Sequence, residues 1–364
     1  MKTATGLRLI ASCACCALLL AALSQPAQGA AGGAYQIFVS NERSGDVTVI
    51  DSADFKVVAT IPVGKRPRGI HASADGRTVY VALSGTPIQA PPQLDAKGNP
   101  ILRKSDDDED SDIKSDKAAD GIGILDVAQQ RYVRKIPAGS DPEEFALSAD
   151  GKQLYVSNED VGTASVLDIA SGKVQHIIPV AREPEGAQTS PDGRTFYITC
   201  EAGGDVFAID ARSYKVLAHM MVNPRPRSVE FLPDGSRAFV ASESTGELNV
   251  IDTASYKVLK AVKLPERTRP MMARLVPGGK AIYVSGGRSG TVVVLDANTY
   301  DVIDTIKVGT RPWGLAISPD GKFLFTANGP SNDVSVVDIG AGKEVARVKA
   351  GESPWGVAVV PKMK

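Results

Sequence analysis

Cysteine is almost missing from this 364-residue chain: of the four present, Cys13, Cys15 and Cys16 lie in the first 29 residues and Cys200 stands alone after them. No disulfide can form within the remainder, so its stability must come from a large apolar core. Histidine is scarce, with His71, His176 and His219 only, and there is no zinc-ligand spacing, haem-attachment motif, phosphate-cradling glycine loop or nucleophile elbow. Beyond Leu23 no apolar run reaches the roughly 18 residues that a membrane span requires. Charge of one sign is lacking as well. Lys and Arg number 41 against 42 Asp and Glu, a net of −1, and no basic cluster of the kind that tracks a phosphate backbone occurs, which excludes nucleic acid as a partner. Sustained 3.6-residue apolar periodicity is absent too, so helices should be few.

What the chain does have is a beat. An aspartate closing a short apolar run recurs at Asp51, Asp126, Asp168, Asp210, Asp252, Asp296 and Asp338, and a proline keeps the same time at Pro67, Pro142, Pro184, Pro226, Pro270, Pro312 and Pro354. Both markers count seven copies at a spacing of 42 to 44 residues, apart from one gap of 75. Within one copy, residues 184–222, turn signals such as Ser190-Pro191-Asp192-Gly193 and Ala202-Gly203-Gly204 separate four strand-like runs. Four strands per repeat at this period predict an all-β, seven-bladed β-propeller. The chain enters at Tyr35–Val39, which matches a second strand, and leaves at Pro354–Val359, which matches a first strand. Pairing of these two ends in one blade would close the ring and remove exposed sheet edges.

The organisation expected is therefore a signal peptide over 1–29 and a propeller over 30–364. Lys2, Arg8, the apolar run Leu9–Leu23 and Ala27-Gln28-Gly29 read as an export signal, which implies a periplasmic or secreted protein. Ile10-Ala11-Ser12-Cys13 resembles a lipid-attachment box, but the apolar stretch before Cys13 is short, and cleavage without lipidation is the reading adopted. No membrane span would remain after signal removal, and a monomer is expected. The long gap marks an insertion at about 84–119, rich in proline and then acidic from Asp106 to Asp112. Ser111 and Lys117 stand where a calcium loop needs glycine and glutamate, so no metal site is expected there.

Alternation of strand direction places the loop carrying the proline and the loop between second and third strands on one face. The first supplies Arg66, Arg68, Asp141, Glu143, Glu183, Glu185, Arg225, Arg227, Arg269, Arg311, Trp313 and Trp355, and the second supplies Glu42, Glu159, Glu201, Glu243 and Arg288. Acids occupy two consecutive blades, arginines the two that follow and the first. Arg66, Arg68, Glu143, Glu185, Arg225, Arg227, Arg269, Arg311, Trp313 and Trp355 are thus the candidate ligand or partner site, since guanidinium forks take carboxylates and indoles stack flat groups. Pairing of the arginines with the acids of neighbouring blades is the structural alternative. His71, Gln188, Glu230 and Arg274 share one position of the innermost strand and are the candidate channel residues.

Val39-Ser40-Asn41-Glu42 with Asp46–Asp51, repeated at Tyr155–Glu159 and Asp333–Asp338, resembles the YVTN-type β-propeller repeat. Gly64-Lys65-Arg66-Pro67-Arg68, Asp141-Pro142-Glu143, Glu183-Pro184-Glu185-Gly186 and Arg225-Pro226-Arg227 are similar to the propellers associated with pyrroloquinoline quinone (PQQ)-dependent catabolism. That narrower resemblance implies an exported, non-enzymatic accessory to periplasmic PQQ-dependent alcohol oxidation, with PQQ as a ligand and a quinoprotein dehydrogenase or cytochrome as partner. Related propellers imply the alternatives, a lactone hydrolase or a haem-binding protein built around His71.

Overall fold

The computed structural model describes residues 34–88 and 115–362. The signal reading at 1–29, with Cys13, and the acidic run Asp106–Asp112 lie outside the described residues.

Each repeat folds as one four-stranded antiparallel sheet, and there are seven. Blade 1 runs outward through Pro67–Ala72, Thr78–Leu83, Gly121–Asp126 and Arg131–Ile136. The inner strands of blades 2 to 6 are Pro142–Leu147, Pro184–Thr189, Pro226–Phe231, Pro270–Leu275 and Pro312–Ile317. Among the described residues the only helical element is a single 3₁₀ turn, Glu159–Val161. The recurring aspartate is a turn device. Asp210 accepts from the Ser213 backbone N–H at 2.6 Å and Asp252 from that of Ser255 at 2.9 Å, which fixes the connection into the outermost strand.

Blade 7 is built from both ends of the chain. Pro354–Pro361 is its inner strand and pairs antiparallel with Tyr35–Asn41, with Ile37 opposite Val359 and Val39 opposite Val357. The closure expected from the sequence is the one observed. Apolar clusters lie between consecutive blades, as where Tyr80 and Ile122 of blade 1 meet Phe145 and Val156 of blade 2. The outermost strands leave residues such as Ile177 and Ile303 exposed.

The proline at the start of each inner strand explains the geometry of the face above it. In every blade the register shifts just after the proline, as between Pro67 and Ile70 or Pro226 and Ser228. Such a bulge turns the next side chain out of the ladder. The residue before the proline is left-handed in all seven repeats: Arg66, Asp141, Glu183, Arg225, Arg269, Arg311 and Ser353 have φ between 42° and 58°. For residues other than glycine this conformation costs on the order of 1 kcal/mol or more and must be held by its surroundings. The holding bonds are visible: the carbonyls of Asp141, Glu183 and Arg225 accept from the backbone N–H groups of Glu159, Glu201 and Glu243 at 3.0, 2.8 and 2.9 Å. The two loops of each blade are thereby clipped together and their charged side chains brought to one mouth.

Candidate functional site

At that mouth Arg68 of blade 1 is 1% exposed and ion-paired with Asp141 and Glu143 of blade 2, with Glu159 at 3.6 Å. Arg227 of blade 4 reaches Glu185 at 2.8 Å, Glu201, and Glu243 at 2.7 Å. Arg66 pairs with Glu42 at 3.0 Å, and Arg225 with Glu201 at 2.7 Å. Asp141, Glu143 and Glu159 bring carboxylate oxygens within 4.8 Å of one another, a spacing that a cation could bridge. The cation already there is the Arg68 guanidinium. Arg269 donates to the carbonyls of Glu243 and Ser244, while Arg311 is exposed and lies 5.1 Å from the centroid of Trp313. Trp313 and Trp355 are 5.7 Å apart, and Arg227 covers Trp313 at 5.3 Å.

The surplus of acid at the mouth appears in its protonation. Burial pushes the Glu159 carboxyl up to about 8; Arg68 opposes this, and Glu185 and Asp141 reinforce it. Burial also acts to raise Glu243, but Arg227 and Arg225 overcome it and hold that carboxyl at about 2.

The sequence therefore located these residues on one face without showing which of them pair. Arg68 and Arg227 are engaged by carboxylates from the same and adjacent blades. The structural alternative, arginine against acid across blade boundaries, is what the geometry displays for Arg66, Arg68, Arg225 and Arg227.

Below the mouth the channel divides. An upper crevice of about 20 Å³, room for a water, is lined by Glu144, Gln188, Arg227, Arg274, Trp313 and Trp355 among others. A lower cavity of about 400 Å³ is lined by His71, Arg274 and Ser318 together with inner-strand residues such as Ala316 and Ala358. Arg274 borders both and so sits at the waist. It donates to its own blade's Ala273 carbonyl at 2.9 Å and to Glu230 at 3.3 Å. Burial raises the Glu230 carboxyl against the pull of Arg274. Gln188 and Arg274 meet at the crevice, His71 and Arg274 at the cavity, and Glu230 joins through its bond to Arg274.

Glu144 is the member that sequence reasoning missed as a site residue. Its carboxylate is buried, accepts from the Phe145 backbone N–H at 2.9 Å and lies 2.8 Å from His71 Nε2. The ring of His71 meets Phe145 edge-on at 5.0 Å. A signal existed: its counterparts two residues after the repeated proline are Gly69, Gly186, Ser228, Met272, Gly314 and Gly356, so an acid there is out of place. The neighbouring small residue is what admits it. A Cβ on Gly69 would stand 2.3 Å from Glu144 Oε1. His176 and His219 lie on outermost strands, away from this group.

Residues 186–358 match the family model described as Lactonase, 7-bladed beta-propeller. This half is similar to the lactonase propellers. Residues 14–182 match a second model, Choice-of-anchor I domain. A curated relative, Antigen Lp49 of Leptospira interrogans, is 29% identical over 138 residues, 33% of this chain, and the chain spans only 30% of that relative's length. Among solved structures, the periplasmic gluconolactonase of Pseudomonas aeruginosa is 20% identical, covers 90% of this chain and 99% of its own, and has a TM-score of 0.66. Hydrazine synthase of Kuenenia stuttgartiensis is 21% identical, covers 80% and 89%, and has a TM-score of 0.65. At these identities the likeness is one of fold, and two such different named activities on it show that the fold does not choose the chemistry. The match to the lactonase model overturns the expectation of a non-enzymatic accessory to PQQ-dependent alcohol oxidation.

Proposed function

We propose that the protein hydrolyses a lactone in its central channel. The observation that carries the proposal is the Glu144–His71 pair facing the same channel as the Arg274 guanidinium, in a fold whose 186–358 half matches a lactonase model. A cavity of about 400 Å³ falls in the range of small-molecule sites.

The chemistry follows from roles. With Nε2–H donating to Glu144, His71 presents Nδ1 as the base that takes a proton from water as its oxygen attacks the lactone carbonyl. The carbonyl electron pair moves onto oxygen, and Arg274 stabilises that oxyanion. Collapse breaks the ring C–O bond, and the imidazolium returns its proton to the departing ring oxygen, giving the open hydroxy acid. Glu144 acts through His71, fixing its tautomer and stabilising the imidazolium, and is a positioning residue.

The test is a pH-stat assay of lactone opening with His71→Asn, Glu144→Gln and Arg274→Met. His71→Asn should lower kcat by about 10²- to 10⁴-fold, and Arg274→Met by about 10²- to 10³-fold. Glu144→Gln should shift the pH profile as well as the rate. Retention of wild-type kcat by His71→Asn, or failure of the wild type to open any lactone, would overturn the reading.

A further inference from the structure

Arg274 would be a poor oxyanion partner if its long side chain were free to sample its many rotamers. Both of its side-chain hydrogen bonds are made by Nη1, to the Ala273 carbonyl at 2.9 Å and to Glu230 Oε2 at 3.3 Å. The remaining N–H groups of the guanidinium, on Nε and Nη2, donate to no described residue, which leaves them for an oxygen that gains charge in the channel. Glu230 itself lines neither compartment. It projects from the inner strand of blade 4, Pro226–Phe231, to that of blade 5, where its Oε1 also accepts from the Leu275 backbone N–H at 3.5 Å. One carboxylate thereby takes both the Arg274 side chain and the backbone of the residue after it. The same inner-strand position is alanine in blades 2, 6 and 7, at Ala146, Ala316 and Ala358, so the ring closes at this level without an acid. Burial opposes the charge on Glu230 and Arg274 favours it, so the acid is matched to this guanidinium rather than to the wall around it.

Resting on the lactonase reading above, we infer that Glu230 is a positioning residue: it holds the Arg274 guanidinium by Nη1 at the waist of the channel and leaves Nε and Nη2 for the lactone carbonyl oxygen. Its effect on the reaction passes through Arg274 alone.

The test measures lactone opening by Glu230→Ala and Glu230→Gln, each in the wild-type chain and in Arg274→Met, with thermal melting alongside to show that the variants are folded. Glu230→Ala should lower kcat by about 10- to 10²-fold and move KM by less than about twofold, because a misplaced guanidinium is felt in the transition state. Glu230→Gln, whose amide oxygen still accepts from Nη1, should recover most of that loss. In the Arg274→Met background Glu230→Ala should change kcat by less than about twofold. An undiminished further loss in that background, or wild-type kcat in Glu230→Ala, would overturn this inference and leave the lactonase reading standing. A second readout needs no turnover. The NMR resonance of the Arg274 Nε–H, recognised by its absence from Arg274→Met, should shift or broaden in Glu230→Ala and return toward its wild-type position in Glu230→Gln. An unmoved resonance in Glu230→Ala overturns the inference whatever the hydrolysis assay shows. A moved resonance beside a wild type that opens no lactone overturns the lactonase reading and keeps the hold of Glu230 on Arg274.

Discussion

Two carboxyls at one mouth are driven in opposite directions by their neighbours. Glu243 sits between Arg227 and Arg225 and is held at about 2, well below the ordinary 4.5, although burial acts to raise it. Its ion pairs therefore contribute stability that is complete above pH 4.5 and is lost as pH falls toward 2. Glu159 is the reverse case, raised to about 8 by burial with Glu185 and Asp141 adding to it against Arg68. The folded state holds that proton between 4.5 and 8 while the unfolded chain releases it, so stability declines as pH rises through this window. Denaturant midpoints from pH 2 to 9 should show both limbs, and Glu159→Gln should flatten the alkaline one while leaving the acid one in place. An unchanged alkaline limb in that variant would mean that Glu159 ionises as an ordinary surface carboxyl.

At the scale of elements, the acids of blades 2 and 3 are gripped from either side, by Arg68 of blade 1 and by Arg227 of blade 4. Hydroxyls on second strands stitch other boundaries of the ring: Ser40 of blade 7 takes the Gly356 N–H at 2.9 Å and donates to the Arg68 carbonyl of blade 1 at 2.5 Å, and Ser285 of blade 5 donates to the Trp313 carbonyl of blade 6 at 2.7 Å. Removing Arg227 as Arg227→Met would leave Glu185 without its cation and Glu201 and Glu243 with Arg225 alone, a loss of about 3 kcal/mol. Arg311→Gln removes an exposed guanidinium that forms no salt bridge among the described residues, only a longer-range attraction to Glu243 and a contact with Trp313, and should cost no more than about 1 kcal/mol. Chemical denaturation of the two variants side by side checks this, and equal midpoints would show that the Arg227 contacts do not hold the blades.

Over the whole molecule, the seventh blade decides whether the ring is closed. Pro354–Pro361 is hydrogen-bonded to Tyr35–Asn41 on one side, and it packs between Pro67–Ala72 and Pro312–Ile317 within the ring of inner strands. Its Val357 and Val360 are buried, Val360 against the blade 1 core and Val357 against that of blade 6. Deleting residues 353–364 opens both interfaces at once and leaves an unpaired inner edge, so the loss should far exceed the roughly 1 kcal/mol of an average point mutation. A truncated chain that melts within a degree or two of the intact one would show that the seventh sheet does not lock the circle.

The repeat was legible in the sequence because it is written in local chemistry: an aspartate that caps a turn, a proline that opens an inner strand and four short runs between them, none of which needs a distant partner to be recognised. From those alone follow the all-β class, the seven blades, the union of Tyr35–Asn41 with the C-terminal strand and the face on which the charged residues gather. Tertiary structure decided which charges meet and which space stays open. Arg68 finds Asp141 and Glu143 only because a bulge after Pro67 turns it toward blade 2, and His71 finds Glu144, 73 positions along the chain, only because Gly69 leaves room for the carboxylate. The lower cavity belongs to four inner strands at once, and no single repeat carries its outline. Spacing along a chain records what each residue does to its own backbone, whereas pairing across blades depends on distances of a few ångströms that the closed ring alone sets.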